Sequence, residues 1–295
     1  MQDAEIARAA GKYMGRAAPG TVVLAFASVG LWALLFFLSV TGELSVWLAL
    51  PLVAYLVYAT YTPLHEAVHN NIAGQHRSLR WLNELTGYTV ANILGVSFTM
   101  HKAAHMAHHR HTNTRGKDPD LVYTGDQLYD AFTGGPKMVW NEYRDYFTRV
   151  FPGASTGEKS AVLTELALAV GWRAALGVYF PLEVLVLGVL ANVLGVMLLG
   201  YIFAWVVHTP FNETARYRDT ATLLMPGWLH WPMTTLWLWQ NYHSIHHLFP
   251  RVPFYKYAAL FGDIEDGMVE RGAPIVRLTL RGREILQPTE TISAT

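Results

Sequence analysis

Thirteen histidines stand in a chain of 295 residues, and most of them fall in three short runs. His65 and His69 occur in TPLHEAVHNN, His101, His105, His108, His109 and His111 in HKAAHMAHHRH, and His243, His246 and His247 in NYHSIHH. An i, i+4 pair, or an i, i+3, i+4 trio such as His105, His108 and His109, lies on one face of a helix, so separate helices can bring these imidazoles to one place. Neutral imidazole contributes little charge at pH 7 and binds most transition metals. His76 and His230 lack such spacing and read as surface or satisfied core residues rather than ligands.

HEAVH also matches the H-E-x-x-H helix of zinc proteases, in which Glu66 would be the catalytic base. Zinc takes about four ligands, with three from protein at a catalytic site. The eight histidines of the pair and the two trios exceed that need, whereas two metals would use them, and iron accepts imidazole as well as zinc does. A protease of this kind also needs a distant aspartate ligand, and FGDIEDG, residues 261–267, fits that role poorly.

Cysteine is absent, which removes disulfides, thiolate catalysis and iron–sulfur clusters. No dinucleotide fingerprint or Walker motif occurs, so redox chemistry here would draw its electrons from outside the chain. Formal net charge is zero and no long Lys/Arg run is present, which sets nucleic acid aside as a partner.

The elements that must position the histidines are apolar. At 52% hydrophobic and 15% charged, the composition is that of a membrane protein. Residues 21–40, 44–64, 161–180 and 182–207 are each near the roughly 20 residues that span hydrocarbon. Residues 85–100, shorter and interrupted by Gly87, Asn92 and Gly95, read as a re-entrant or half-buried helix. The first twenty residues are mixed in charge and precede a full-length span, unlike a cleavable signal peptide.

Two hairpins of spans return the chain to one side, so all the histidine runs share a membrane face. The Lys/Arg-rich stretch between the hairpins places that face, with both termini, in the cytoplasm. Arg173 fits poorly, since it lies inside the third span where a bare charge is costly. Trp228, Trp231, Trp237 and Trp239 suggest an interfacial or packed helix. The expected architecture is an all-α integral membrane protein: four transmembrane helices, a re-entrant or interfacial helix and a cytoplasmic helical cap carrying the histidines. Residues 1–270 form the membrane domain and 271–295 a polar C-terminal tail.

HEAVH, HMAHHRHTN and HSIHH, in that order and separated by these spans, resemble the histidine boxes of the membrane fatty acid desaturase superfamily, which includes carotenoid ring hydroxylases and ketolases. The resemblance covers about residues 20–260. It implies a four-span fold and a cytoplasmic di-iron site that activates dioxygen with electrons from a donor such as a ferredoxin. It further implies iron ligation by His65, His69, His105, His108, His109, His243, His246 and His247. His208, in WVVHTPFN, resembles the additional histidine found between the second and third boxes and is the ninth expected ligand.

The resemblance puts His101 and His111 next to the ligands rather than on the metal. Glu66 stands where many members have aspartate and reads as a carboxylate bonded to a ligating imidazole. Asn113 and Asn241 either orient a ligand or make turn and helix-end hydrogen bonds. The three-residue spacing in the first box departs from acyl-thioester desaturases. HTNTRGKDPDL and HHLFPRVPFYKY resemble the carotenoid ring hydroxylases, although acyl-lipid desaturases share versions of both, so ring hydroxylation is expected first, with acyl-lipid desaturation or carotenoid ketolation as alternatives. Phe249, Phe254, Tyr255 and Tyr257 either line an apolar channel or pack the core.

Overall fold

A short helix, α1 (Asp3–Gly11), precedes a helical hairpin of α2 (Pro19–Val40) and α3 (Val46–Val68). In the computed structural model, which describes residues 1–121, 125, 127–211, 213–279 and 282–285, three helices follow: α4 (Arg80–Leu94), α5 (Phe98–His111) and α6 (Leu128–Asp145). The second hairpin is α7 (Thr156–Tyr179) and α8 (Pro181–His208). α2, α3, α7 and α8 are long and apolar enough to cross a membrane, matching the four spans read from sequence. The protein is an all-α integral membrane protein with one small sheet added.

α2 turns much of its apolar surface outward, as a lipid-facing helix does, whereas every residue of α3 from 57 to 68 is buried. α8 can lie against α3 because Gly195 lacks a side chain: a Cβ there would come within 2.6 Å of Val57 and 2.7 Å of the Ala54 carbonyl. One turn further on, Gly200 meets the backbone of Gly135 on α6. Small residues at such crossings let membrane helices approach closely, which fixes α3, α6 and α8 around one centre.

The single element expected over 85–100 is two helices. Gly95 caps α4 in the left-handed region at φ 74°, and Ser97 restarts the chain as α5 by accepting the Met100 amide at 3.1 Å. Glu165 of α7 holds this corner. Its carboxylate accepts from Ser97 Oγ at 2.7 Å, Thr99 Oγ1 at 2.6 Å and the Thr99 amide at 3.1 Å. A negative charge at a helix N-terminus is favourable, and here it also sets the direction in which α5 presents its histidines.

Arg173 is accounted for by the other side of the same break. Its guanidinium donates to the carbonyls of Asn92 at 3.1 Å, Ile93 at 2.7 Å, Ala169 at 2.7 Å and Gly188 at 3.2 Å, and lies over the Trp172 ring at 4.3 Å. A cation is thus spent on the exposed carbonyls at the end of α4, where the helix dipole is negative, and it ties α4 to both arms of the second hairpin. Arg173→Met is expected to destabilise the fold by about 3 kcal/mol, because several buried carbonyls lose a charged donor together. A thermal transition in detergent that matches the parent protein would contradict this account.

Three shorter helices complete the fold: α9 (His230–Leu236), α10 (His243–Leu248) and α11 (Tyr257–Glu270). α11 packs on α1, with Arg271 paired to Asp3 at 2.6 Å. A three-stranded sheet joins β1 (Thr222–Leu224), β2 (Ile275–Thr279) and β3 (Gly282–Ile285) in the order β1-β2-β3, the first pair parallel and the second antiparallel. The segment read as a polar tail therefore begins with a strand, because Ile275 and Val276 are apolar and bury fully against β1. Residues 286–295 of that tail lie outside the described residues. Trp228 and Trp231 are exposed, while Trp237 and Trp239 pack against the core.

Candidate metal centre

α3 brings His65 and His69 to its inner end, α5 brings His105, His108 and His109, α8 ends on His208, and α10 carries His243, His246 and His247. The nitrogens of His65, His69, His105, His109 and His246 lie within 4.8 Å of one another, and so do those of His108, His208 and His247. His243 adjoins the second group, its Nε2 3.1 Å from that of His247. The nine histidines therefore converge as two adjoining groups, His109 and His247 meeting between them with ring centres 4.9 Å apart.

The donor set fits metal ions. Nε2 atoms face each other at 3.0 Å for His69 and His105, 2.9 Å for His105 and His109, and 2.7 Å for His109 and His246. Metal–nitrogen bonds are ~2.1 Å, so nitrogens this close to one another could all reach one ion placed among them. Five imidazoles in one group also exceed the four ligands of a zinc site. Both ring nitrogens of His65 are buried without a hydrogen-bond partner, as are Nδ1 of His105 and of His243. Orphaned polar atoms of this kind are costly, and coordination would offset that cost.

Two other rings are oriented from outside by carboxylates. His108 Nδ1 lies 2.9 Å from Asp118 and His247 Nδ1 lies 3.1 Å from Asp219. An N–H donated to a carboxylate leaves Nε2 with its lone pair, the form a metal requires. Burial, and then repulsion between rings, pushes His105, His109, His243, His246 and His247 well below the ordinary histidine range and takes His69 down to about 3. Burial would also lower His108, but the Asp118 carboxylate outweighs it and raises this ring. Burial takes neighbouring Asp120 up to about 7.

Asn113 joins the two segments that carry these carboxylates. Held at φ 60°, it donates its amide N–H to Asp118 at 2.8 Å and its side-chain NH2 to the carbonyls of Glu213 and Asp219, each at 2.8 Å. It positions the partners of two histidines and bonds to no histidine itself. Asn241 makes structural bonds, to the Leu223 carbonyl at 3.0 Å and Thr234 at 3.1 Å, which tie the third box to β1. His111 is half-buried and belongs to neither group.

Glu66 differs from the reading as a direct partner of an imidazole. Its carboxylate accepts from Asn71 at 3.1 Å and Thr21 at 3.5 Å, and it reaches His246 only through Tyr257. The Tyr257 hydroxyl lies 3.1 Å from His246 Nδ1, and the nearby Glu66 carboxylate adds to burial in raising this tyrosine well above its ordinary range. The reason is geometric: Glu66 follows His65 by one residue and so points away from the face that carries His65 and His69. Phe249, Phe254 and Tyr257 pack in the core, and only Tyr257 touches the site. His101 also stands outside both groups, its Nδ1 3.0 Å from Glu142 on α6.

An aromatic wall closes the membrane side. Phe203 meets His65 of one group at 4.9 Å, His243 of the other at 5.0 Å and Tyr61 at 4.7 Å between ring centres. Phe203 and His208, five residues apart, would diverge by roughly 140° on an ideal α-helix. The stretch Gly200–Trp205 is π-helical, and its wider turn lets both residues contact His243. Asp118, Asp219 and Phe203 are site residues that sequence reasoning missed, and Tyr257 reads from sequence only as lining a channel or packing the core; Asp118, close behind the second box in TNTRGKDPD, carries a usable signal.

Four helices long and apolar enough to cross a membrane, two of which lead into a pair of adjoining buried histidine groups with carboxylates behind the rings, define a membrane protein with a candidate metal centre. The comparisons place it further: residues 43–279 match the fatty acid desaturase family, and the chain belongs to that family. It is similar to a beta-carotene ketolase of Paracoccus sp. (strain PC1), 27% identical over 252 residues, which covers 81% of this chain and 93% of the relative. A beta-carotene ketolase of Paracoccus sp. (strain N81106 / MBIC 01143) is 26% identical over 202 residues, 65% of this chain and 69% of the relative.

Proposed function

We propose that the protein oxidises a ring C–H bond of a carotenoid with dioxygen at a di-iron centre held by the nine histidines. The observation that carries the proposal is the pair of adjoining histidine groups beneath an apolar wall at the ends of the spans. When bound, two iron ions would supply the activation of dioxygen toward an unactivated C–H bond. Burial keeps His69, His105, His109, His243, His246 and His247 neutral, Asp118, Asp219 and Tyr257 orient the rings of His108, His247 and His246, and Tyr61 and Phe203 exclude water.

Hydroxylation of a ring CH2 consumes one dioxygen, two electrons and two protons and gives the alcohol and water. A second round at the same carbon gives a geminal diol, which loses water to the ketone. Ring hydroxylation is the reading suggested by the segments after the second and third boxes; similarity to two ketolases favours the second round as well. The electrons come from an external donor protein of the ferredoxin kind. The histidine end faces the cytoplasm, with Lys and Arg between the hairpins on that side.

Expression in a host that makes carotenoids tests the reading. Pigments that gain one oxygen mark hydroxylation, and pigments that gain one oxygen and lose two hydrogens mark ketolation. Unchanged pigments with acyl chains two hydrogens poorer would replace the proposal by desaturation. Purified protein should carry two irons, and one zinc with no iron would overturn it. Tyr257→Phe, which keeps the ring but removes the link from His246 to Glu66, is expected to weaken iron retention about 10-fold in chelator competition.

A further inference from the structure

We propose that the apolar substrate enters sideways from the bilayer, through a groove between the end of α4, α6 and α8, and passes a constriction formed by Tyr61, Met138 and Leu199 to reach the histidines. The route deepens the functional reading but stands on the shape of the protein. The groove has a volume of 440 Å³, and Trp140 and Val193 are exposed at it. Behind it lies a cavity of 20 Å³ that shares Leu94, Val96, Val139 and Val196 with the groove. A second cavity of 20 Å³ shares Tyr61, Met138 and Leu199 with the first and is lined on its far side by His105, His108, His208 and His243.

The three spaces thus adjoin in a row, each sharing lining side chains with the next, and His101 and Glu142 also line the first inner cavity and Asp120 the second. The groove opens beside Asn192, Val193 and Val196, in the middle of α8, so it faces hydrocarbon rather than water. Val193 precedes His208 by fifteen residues along that helix, roughly 20 Å at 1.5 Å per residue. A molecule that fills the groove and is attacked at the histidines is therefore long and apolar, with its reactive end foremost. Each inner cavity has room for about one water, so Met138 and Leu199, flexible at their ends, must move aside to admit a ring.

The test uses the full-length protein in lipid vesicles with a long-chain alcohol bearing a terminal photoreactive diazirine. Tyr61 and Met138 are buried, so label on them reports passage inward rather than contact with bulk lipid. Illumination is expected to label both residues in the parent protein. Val139→Trp and Val196→Trp, which plug the groove from opposite walls, should each lower that labelling about 10-fold while the thermal transition is kept. Leu168→Trp, in the groove between α4 and α7 that shares only Val96 with the entry groove, should leave it unchanged.

Undiminished labelling of Tyr61 and Met138 in both plugged variants would overturn the route, as would parent protein labelled only at exposed positions. Because the labelling needs no metal, it also separates the two readings. Protein that shows the expected pattern yet oxidises no carotenoid supports the route and overturns the functional proposal.

Discussion

Alanine at His246 is expected to abolish turnover and remove about one of two bound irons. His246 lies in the five-histidine group with its Nε2 2.7 Å from that of His109, and Tyr257 holds its other nitrogen. Loss of a partner behind a ligand already costs 10–100-fold in metal affinity or activity, and loss of the ligand itself should exceed about 100-fold. His111→Ala is the control, since that ring is outside both groups although it adjoins the second box. Iron content by elemental analysis and product formation are read together. An H246A protein that keeps two irons and full activity would remove the five-histidine site from consideration, and an inactive H111A protein would redraw it.

The second large effect is expected at Asp118. Its carboxylate faces His108 Nδ1 at 2.9 Å and also accepts the amides of Asn113 at 2.8 Å and Asp120 at 2.9 Å. Asp118→Asn keeps the shape but turns one acceptor atom into a donor, so at least one buried N–H is left facing another. Iron affinity and turnover should fall about 10- to 100-fold, with the second group affected first. Asp145→Asn, which only breaks a surface pair with Arg149, should leave both measurements near the parent values. Competition with a chelator, followed for each iron separately, distinguishes a loss centred on His108 from general instability.

How much was legible follows from how each signal is encoded. The spans and the histidine runs are local patterns, a block of about twenty apolar residues or imidazoles three and four apart, and local patterns survive in one dimension. The partners behind the rings do not. Asp219 serves His247 from 28 positions away, and Glu142 serves His101 from 41. Nothing about an isolated aspartate in RYRDT marks it as facing an imidazole. Glu66 misled in the opposite way: it adjoins His65 in sequence, but a helix sends adjacent residues to different faces. Arg173 looked like an error in the span because its partners are carbonyls of another helix, which the sequence writes as Asn92 and Ile93 without hint of charge. The strand Thr222–Leu224 is too short to show alternation, and its burial comes from β2 and the third box around it.

His246 and His247 are consecutive residues of a six-residue helix, yet one belongs to each group. Neither group can be finished until this late stretch has emerged from the ribosome and docked beneath helices made long before it. Synthesis runs from the N-terminus, so the earlier boxes wait as partial sets of ligands. Filling of the proposed metal centre would therefore be a late event in biogenesis, governed by a single turn of chain. A defect in that turn, or in the Tyr257 contact that seats it, would produce protein that inserts in the membrane normally and fails to mature at both sites together.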